Sequence, residues 1–186
     1  MSPAQRGPAV DGDDAATLVG SLVRDVPDFP QSGVVFKDIT PVLADARAFA
    51  AAVSWLAHAF DDPVDAVVAI EARGFILGAP VAFARGAGLV PVRKVGKLPA
   101  ATVSEGYTLE YGEATLEMHV DAMGRGDRVL VVDDVIATGG TVRATVELVR
   151  RCGASVVGVA ALLEVAGLGG RERLAGVPLR VLLPAG

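Results

Sequence analysis

VLVVDDVIATGGT, the stretch Val129–Thr141, opens with apolar residues, passes through two adjacent acids and closes on a glycine pair flanked by threonines. The apolar part, Arg128 to Val132, has the length and β-branched content of a buried strand, and a helical pattern runs from about Gly140 to Arg151. Gly139 and Gly140 admit backbone conformations with positive φ, so successive N–H groups can converge on one anion. The helix that follows adds its unsatisfied N–H groups and positive dipole end. Thr138 and Thr141 supply hydroxyl donors. Together these make a cradle for one phosphate. No Lys follows the glycines, which excludes a Walker A loop, and the GxGxxG spacing of a dinucleotide fingerprint is absent. Asp133 and Asp134 stand just before the cradle, where they would repel an anion unless they bind something else. Vicinal sugar hydroxyls, with or without a divalent cation, meet that requirement. The alternative is a solvated turn with incidental acids.

Upstream, residues 1–13 are rich in Pro, Gly and Asp and read as a mobile tail. Asp14 to Val26 carries apolar residues at helical spacing and is ended by Pro27 and Pro30. Phe29 to Leu43 has no regular pattern. Asp45 can cap a helix over Ala46 to Phe60. Ala66 to Ile70 is an apolar strand, Phe75 to Arg85 a helix, and Leu89 to Arg93 a second strand. Downstream, Ser155 to Leu163 and Leu179 to Leu183 complete a set of five. Apolar strands alternating with helices predict a mostly parallel five-stranded sheet flanked by helices. Gly96 to Asp127 is too long for an ordinary connection, and within it Tyr107 to Tyr111 and Glu113 to Val120 can pair as a hairpin around Gly112. Ligands of such sheets sit beyond the carboxyl ends of the strands, which singles out Glu71 to Gly74, Arg93 to Lys97 and Asp133 to Thr141.

The chain's 186 residues suit one domain over 14–186, and 52% apolar residues can bury a sizeable core. A net charge of −5 and a pI near 5.0 give no general attraction for nucleic acid or anionic membrane, so phosphate recognition must be local. Cys152 is the only cysteine and His58 and His119 the only histidines, which leaves no soft or imidazole ligand cluster and no disulfide. No apolar run approaches the ~18 residues of a membrane span, and the N-terminus lacks an apolar signal region. The expectation is a cytoplasmic protein.

Asp133 to Thr141 resembles the phosphoribosyl diphosphate signature of the type I phosphoribosyltransferases. The span from about Phe29 to Leu183 is similar to the adenine phosphoribosyltransferase group within them, through Gly33 to Ile39, Glu71 to Phe75, Arg93-Lys94 with Gly96 to Pro99, and Leu109-Glu110-Tyr111-Gly112. The resemblance implies adenine and phosphoribosyl diphosphate as substrates, AMP and diphosphate as products, Mg²⁺ held through the diphosphate substrate and water with no direct protein ligand, and a homodimer. It also implies a small N-terminal hood at about 27–43 and a flexible β-hairpin lid at about 96–112.

In that frame Asp133 and Asp134 hold the ribose hydroxyls, and Ala137, Thr138, Gly139, Gly140 and Thr141 the 5′-phosphate. Ala72 and Arg73 form a diphosphate loop, in which a non-proline cis peptide is expected, aided by Arg93, Lys94 and Lys97. A surface ion pair for Arg73 and a solvated charge run for the other three are the plainer alternatives. The resemblance places Phe36 and Val165 on the two faces of adenine, with the backbone of Val35 and Lys37 reading its edge. A core role is the alternative for Phe36. Glu110, beside Tyr111 in the lid, is the candidate for taking the purine proton, unless strand alternation simply points it outward. Related 6-oxopurine enzymes carry an Asp where this chain has Ala137, which cannot accept a proton. The chain departs from the family in its N-terminal tail, in Lys37 where some relatives have Arg, and in Gly106, which bears on how fast the lid closes. Two rivals remain open, a transferase for another nucleobase and a non-catalytic sensor of phosphoribosyl diphosphate.

Overall fold

The computed structural model describes residues 11–108 and 113–185. Its sheet is built on strands β3 (Ala66–Ile70), β4 (Gly88–Lys94), β7 (Arg128–Ile136), β8 (Ser155–Glu164) and β9 (Leu179–Leu183). These five pair in parallel in the order β4-β3-β7-β8-β9. β3, β7 and β8 carry runs of buried apolar residues because both of their faces are covered. In β7, Leu130 and Val132 join one core, while Val129 and Val131 join the other. β3 divides in the same way, with Val67 on the first side and Ala66, Val68 and Ile70 on the second. Fully burying one such Val, Leu or Ile contributes about 1.5–3 kcal/mol, so alternate residues of one strand stabilise two layers.

The first layer holds α1 (Gly12–Gly20), α3 (Ala46–Ala57) and α4 (Arg73–Arg85), and the second α5 (Gly140–Arg151). Asp45 caps α3, its carboxylate accepting from the N–H groups of Arg47 and Ala48 at 2.9 and 2.8 Å. α4 lies close to β3 because Gly78 has no side chain, and an added Cβ there would stand 2.5 Å from Ala69 Cβ. Two short helices, α2 (Thr40–Ala44) and α6 (Gly170–Arg173), complete the set. No helix among the described residues is long and apolar enough to cross a membrane.

The structure differs from the expected fold in three ways. The sheet has seven strands rather than five, because β5 (Thr102–Thr108) and β6 (Glu113–His119) form an antiparallel hairpin that joins the edge at β4, with Arg93 opposite Glu117 and Lys94 opposite Leu116. The expected hairpin is thus present, but its first arm begins at Thr102 rather than Tyr107. The first helix begins at Gly12, inside the span expected as tail, on an Asp11 cap, and stops at Gly20. Residues expected to continue it form β1 (Arg24–Pro27), which pairs with β2 (Val35–Asp38). Ion pairs fasten this small sheet, Arg24 to Asp38 and Lys37 to Asp25. The hood read as irregular thus contains a two-stranded ribbon. Finally, β7 runs on to Ile136 and carries both acids within it. Its ladder with β8 continues through Asp133–Ala161 and Ile136–Glu164, which keeps the acids extended.

Candidate active site

Strand β7 outruns its other neighbour. The β3 ladder ends at Ala69 opposite Val132, so the residues after Val132 have a partner on one side only. The space this leaves is a cavity of ≈ 260 Å³, closed by Glu71, Ala72 and Arg73 on one side and by the turn after Ile136 on the other. The Glu71–Ala72 peptide is cis, as is Phe29–Pro30. Ala72, Arg73, Asp133, Asp134, Ala137, Thr138, Gly139 and Thr141 all line this one space.

The glycine turn is built by close contact. Gly139 has φ +74°, the left-handed region that disfavours other residues. An added Cβ there would meet the Gly170 carbonyl oxygen at 2.7 Å, and one on Gly170 would meet the Ala137 carbonyl oxygen at 2.2 Å. Two glycines from separate segments therefore let the start of α6 lie against the turn. Gly140 departs from expectation. It is the first residue of α5, without positive φ, and lies buried off the cavity wall. The Gly139 carbonyl accepts from Arg143 N–H at 2.9 Å, fixing the turn to the helix.

Both acids are buried, Asp133 with 7% and Asp134 with 5% of its surface exposed. Burial raises the Asp133 carboxyl pKa above the ordinary range, and the neighbouring Asp134 charge raises it further. Asp134 is also raised by burial, against the pull of Arg73. Arg73 Nε lies 2.8 Å from Asp134 Oδ2, yet that oxygen receives no aligned hydrogen bond. The pair is thus a charge contact that leaves an acceptor open. This ion pair is not the surface one considered for Arg73, since its acid is buried in the cavity wall.

The Arg73 guanidinium carbon stands 4.9 Å from the Phe36 ring centroid, within cation–π range. Phe36 is half-buried and meets Phe29 edge to face at 5.1 Å, in the hood rather than in either core. The hood ring thereby reaches the cavity through Arg73. Lys37 and Val165 instead share a separate hollow of ≈ 460 Å³. Val35, in β2, is exposed. The cavity wall also carries the apolar side chain of Val135, to which the sequence assigned no role. Strand alternation was the available signal, since Val135 follows Asp133 by two residues.

Two further acids, to which the sequence assigned no role, shape the neighbouring corner. Glu71 accepts from Arg93 Nε and Lys97 Nζ, each at 3.0 Å. Burial raises its carboxyl, but the hydrogen bonds from Lys97 and Arg93 and the Lys94 amide outweigh it, and the net shift is downward. Glu117, only 3% exposed on β6, accepts from the Lys97 and Leu98 N–H groups at 2.9 Å each. Burial raises this carboxyl too, and those amides bring it below the ordinary range. Arg93 and Lys97 are therefore paired rather than a solvated run, whereas Lys94 is exposed. Glu110 and Tyr111 lie outside the described residues. Among the described residues no three His, Cys, Asp or Glu side chains are grouped to hold a metal ion.

Residues 37–180 match the phosphoribosyl transferase domain. The chain is 61% identical to an adenine phosphoribosyltransferase of a Nocardioides species, over 88% of this chain and 91% of that one. Its structure is similar to that of the adenine phosphoribosyltransferase of Rhodothermus marinus, with TM-score 0.88 and 51% identity over 93% of this chain and 99% of the other. It also resembles the Saccharomyces cerevisiae enzyme complexed with an imino-altritol bisphosphate and adenine, with TM-score 0.87 and 35% identity over 92% and 99%. The chain belongs to the phosphoribosyltransferase family, on its adenine phosphoribosyltransferase branch.

Proposed function

We infer that this chain transfers the 5-phosphoribosyl group of phosphoribosyl diphosphate to N9 of adenine, forming AMP and diphosphate. The observation that carries this reading is the convergence of the acid pair, the glycine turn and the loop at Glu71–Arg73 on one cavity. Its three parts match the three parts of the donor, which are sugar hydroxyls, terminal phosphate and diphosphate. In the proposed reaction N9 bonds to the anomeric carbon as the bond from that carbon to diphosphate breaks, the electron pair leaving with the diphosphate. Asp133 and Asp134 accept from the ribose hydroxyls, the open acceptor on Asp134 Oδ2 being suited to such a donor. The turn Ala137–Thr141 holds the 5′-phosphate. Glu110 takes the N9 proton, since Ala137 offers no base. Phe36 covers one face of the adenine, with the backbone of Val35 and Lys37 and the side chain of Val165 completing its pocket, as the family likeness suggests.

Mg²⁺ is proposed as the cofactor; Asp133 and Asp134 would hold it through water, and it would supply positive charge to offset the leaving diphosphate. The acid pair on the cavity wall suits water-mediated contact with such an ion, and no protein cage is required. A homodimer and a cytoplasmic location belong to the same proposal. The test is to supply the protein with Mg²⁺, phosphoribosyl diphosphate and, separately, adenine, hypoxanthine, guanine or orotate. AMP from adenine alone is the expected result. A nucleotide from another base, or none from any, would refute the reading.

A further inference from the structure

Three of the cations assigned to the diphosphate are engaged by carboxylates of the chain itself. Arg73 faces Asp134, and Arg93 and Lys97 both face Glu71. Glu71 gives one oxygen to each partner, Oε2 to Arg93 and Oε1 to Lys97, from a side chain only 8% exposed. The arrangement is reinforced from behind. Glu117 pins the Lys97 and Leu98 amides, and Arg93 Nη1 donates to the Lys97 carbonyl at 3.1 Å. With its backbone held there, Lys97 presents its ammonium to Glu71. Glu71 thus offsets one unit of the positive charge that Arg93 and Lys97 bring together.

A diphosphate bound here needs the same N–H donors that Glu71 now receives. We propose that Glu71 is a positioning residue that stands in for the diphosphate: it holds Arg93 and Lys97 at the edge of the cavity that Glu71 lines and competes with the bound anion for them. The inference rests on the transferase reading above and adds a role in product release. The exchange is ionic throughout, with no bond made or broken. When diphosphate takes the two cations, Glu71 is left as a shielded carboxylate beside an anion, which favours departure. Glu71→Gln keeps the shape and removes the competitor, raising the local charge by one unit.

The experiment is calorimetric titration of the whole chain with magnesium diphosphate, alongside AMP synthesis at varied phosphoribosyl diphosphate. Glu71→Gln is expected to bind diphosphate about tenfold more tightly, the scale of one charge-assisted hydrogen bond no longer contested. Both kcat and KM for phosphoribosyl diphosphate should fall together as release slows. Glu71→Asp, whose shorter arm loosens the grip, should lie between wild type and Gln, and it carries the test if the Gln variant does not fold. Equal or weaker diphosphate binding in the folded variant, or a raised KM at unchanged kcat, would overturn the proposal, since a merely structural carboxylate gives that sign. A wild-type protein that makes no AMP would instead refute the transferase reading.

Discussion

Replacing Gly170 with Ala reaches the phosphate turn from a residue that does not line the cavity. The new Cβ would sit 2.2 Å from the Ala137 carbonyl oxygen and 2.8 Å from Ile136 Cγ2. Ordinary contact begins at 3.4 Å, so the two segments must separate by 3.4 − 2.2 = 1.2 Å. Overpacking of this kind costs about 1–3 kcal/mol, which for a domain this size lowers Tm by roughly 2–12 °C. If the turn is what yields, the cradle is misplaced by about an ångström, and kcat/KM for phosphoribosyl diphosphate should fall about 10²-fold, or about 2.7 kcal/mol of transition-state binding. The assay pairs thermal unfolding of the ligand-free protein with initial rates of AMP formation. Gly176→Ala serves as the comparison. It has φ +85° with nothing within 4 Å of an added Cβ, so it should cost about 1–2 kcal/mol of strain and leave kcat/KM intact. Should Gly170→Ala lose stability but keep wild-type kcat/KM, α6 has moved instead of the turn, and the coupling argued here is wrong.

Changing Asp133 and Asp134 together to Asn should abolish AMP formation with the fold retained; wild-type rates would remove the ribose assignment. The same variant tests linkage. Both folded-state pKa values are raised, by burial first, so the acids favour the folded state below the ordinary carboxylate range and lose that contribution as pH rises through the raised values. Above the ordinary carboxylate range the pair is a net cost to folding, and the double variant should therefore unfold at higher temperature than wild type at pH 7, with the gap closing on acidification. Glu110→Ala should reduce kcat strongly and alter substrate affinity less; an unchanged kcat would return this residue to an outward strand position. Gly158→Ala would place a Cβ 2.2 Å from the Phe60 ring and should destabilise by about 1–3 kcal/mol in chemical denaturation without touching the site; an unchanged midpoint would mean that the ring swings aside freely.

The centre of the sheet was legible because β3, β7 and β8 are covered on both faces and so carry long apolar runs. β6 was legible to within a residue, whereas β5, which is only partly covered, gave a weak alternation and was placed too late in the chain. β1 was misread as helix because Val23 and Val26 continue the spacing of α1, and the pairing that overrides it comes from Val35–Asp38, far along the chain. Within the site, the acid pair and glycine turn were legible because they are contiguous. Glu71 and Glu117 were not, since their meaning lies in Arg93 and Lys97 brought from another strand end. The reach of Phe36 to the cavity through Arg73 depends equally on tertiary placement.

That both acids sit within the pleats of β7, laddered to β8, has a thermodynamic consequence. Ordering a residue's backbone costs about 1–2 kcal/mol, and for Asp133 and Asp134 this was met when the sheet formed. Sugar binding need not freeze them again, so the rate at which the Asp133 amide exchanges with deuterium should be the same whether or not substrate is present.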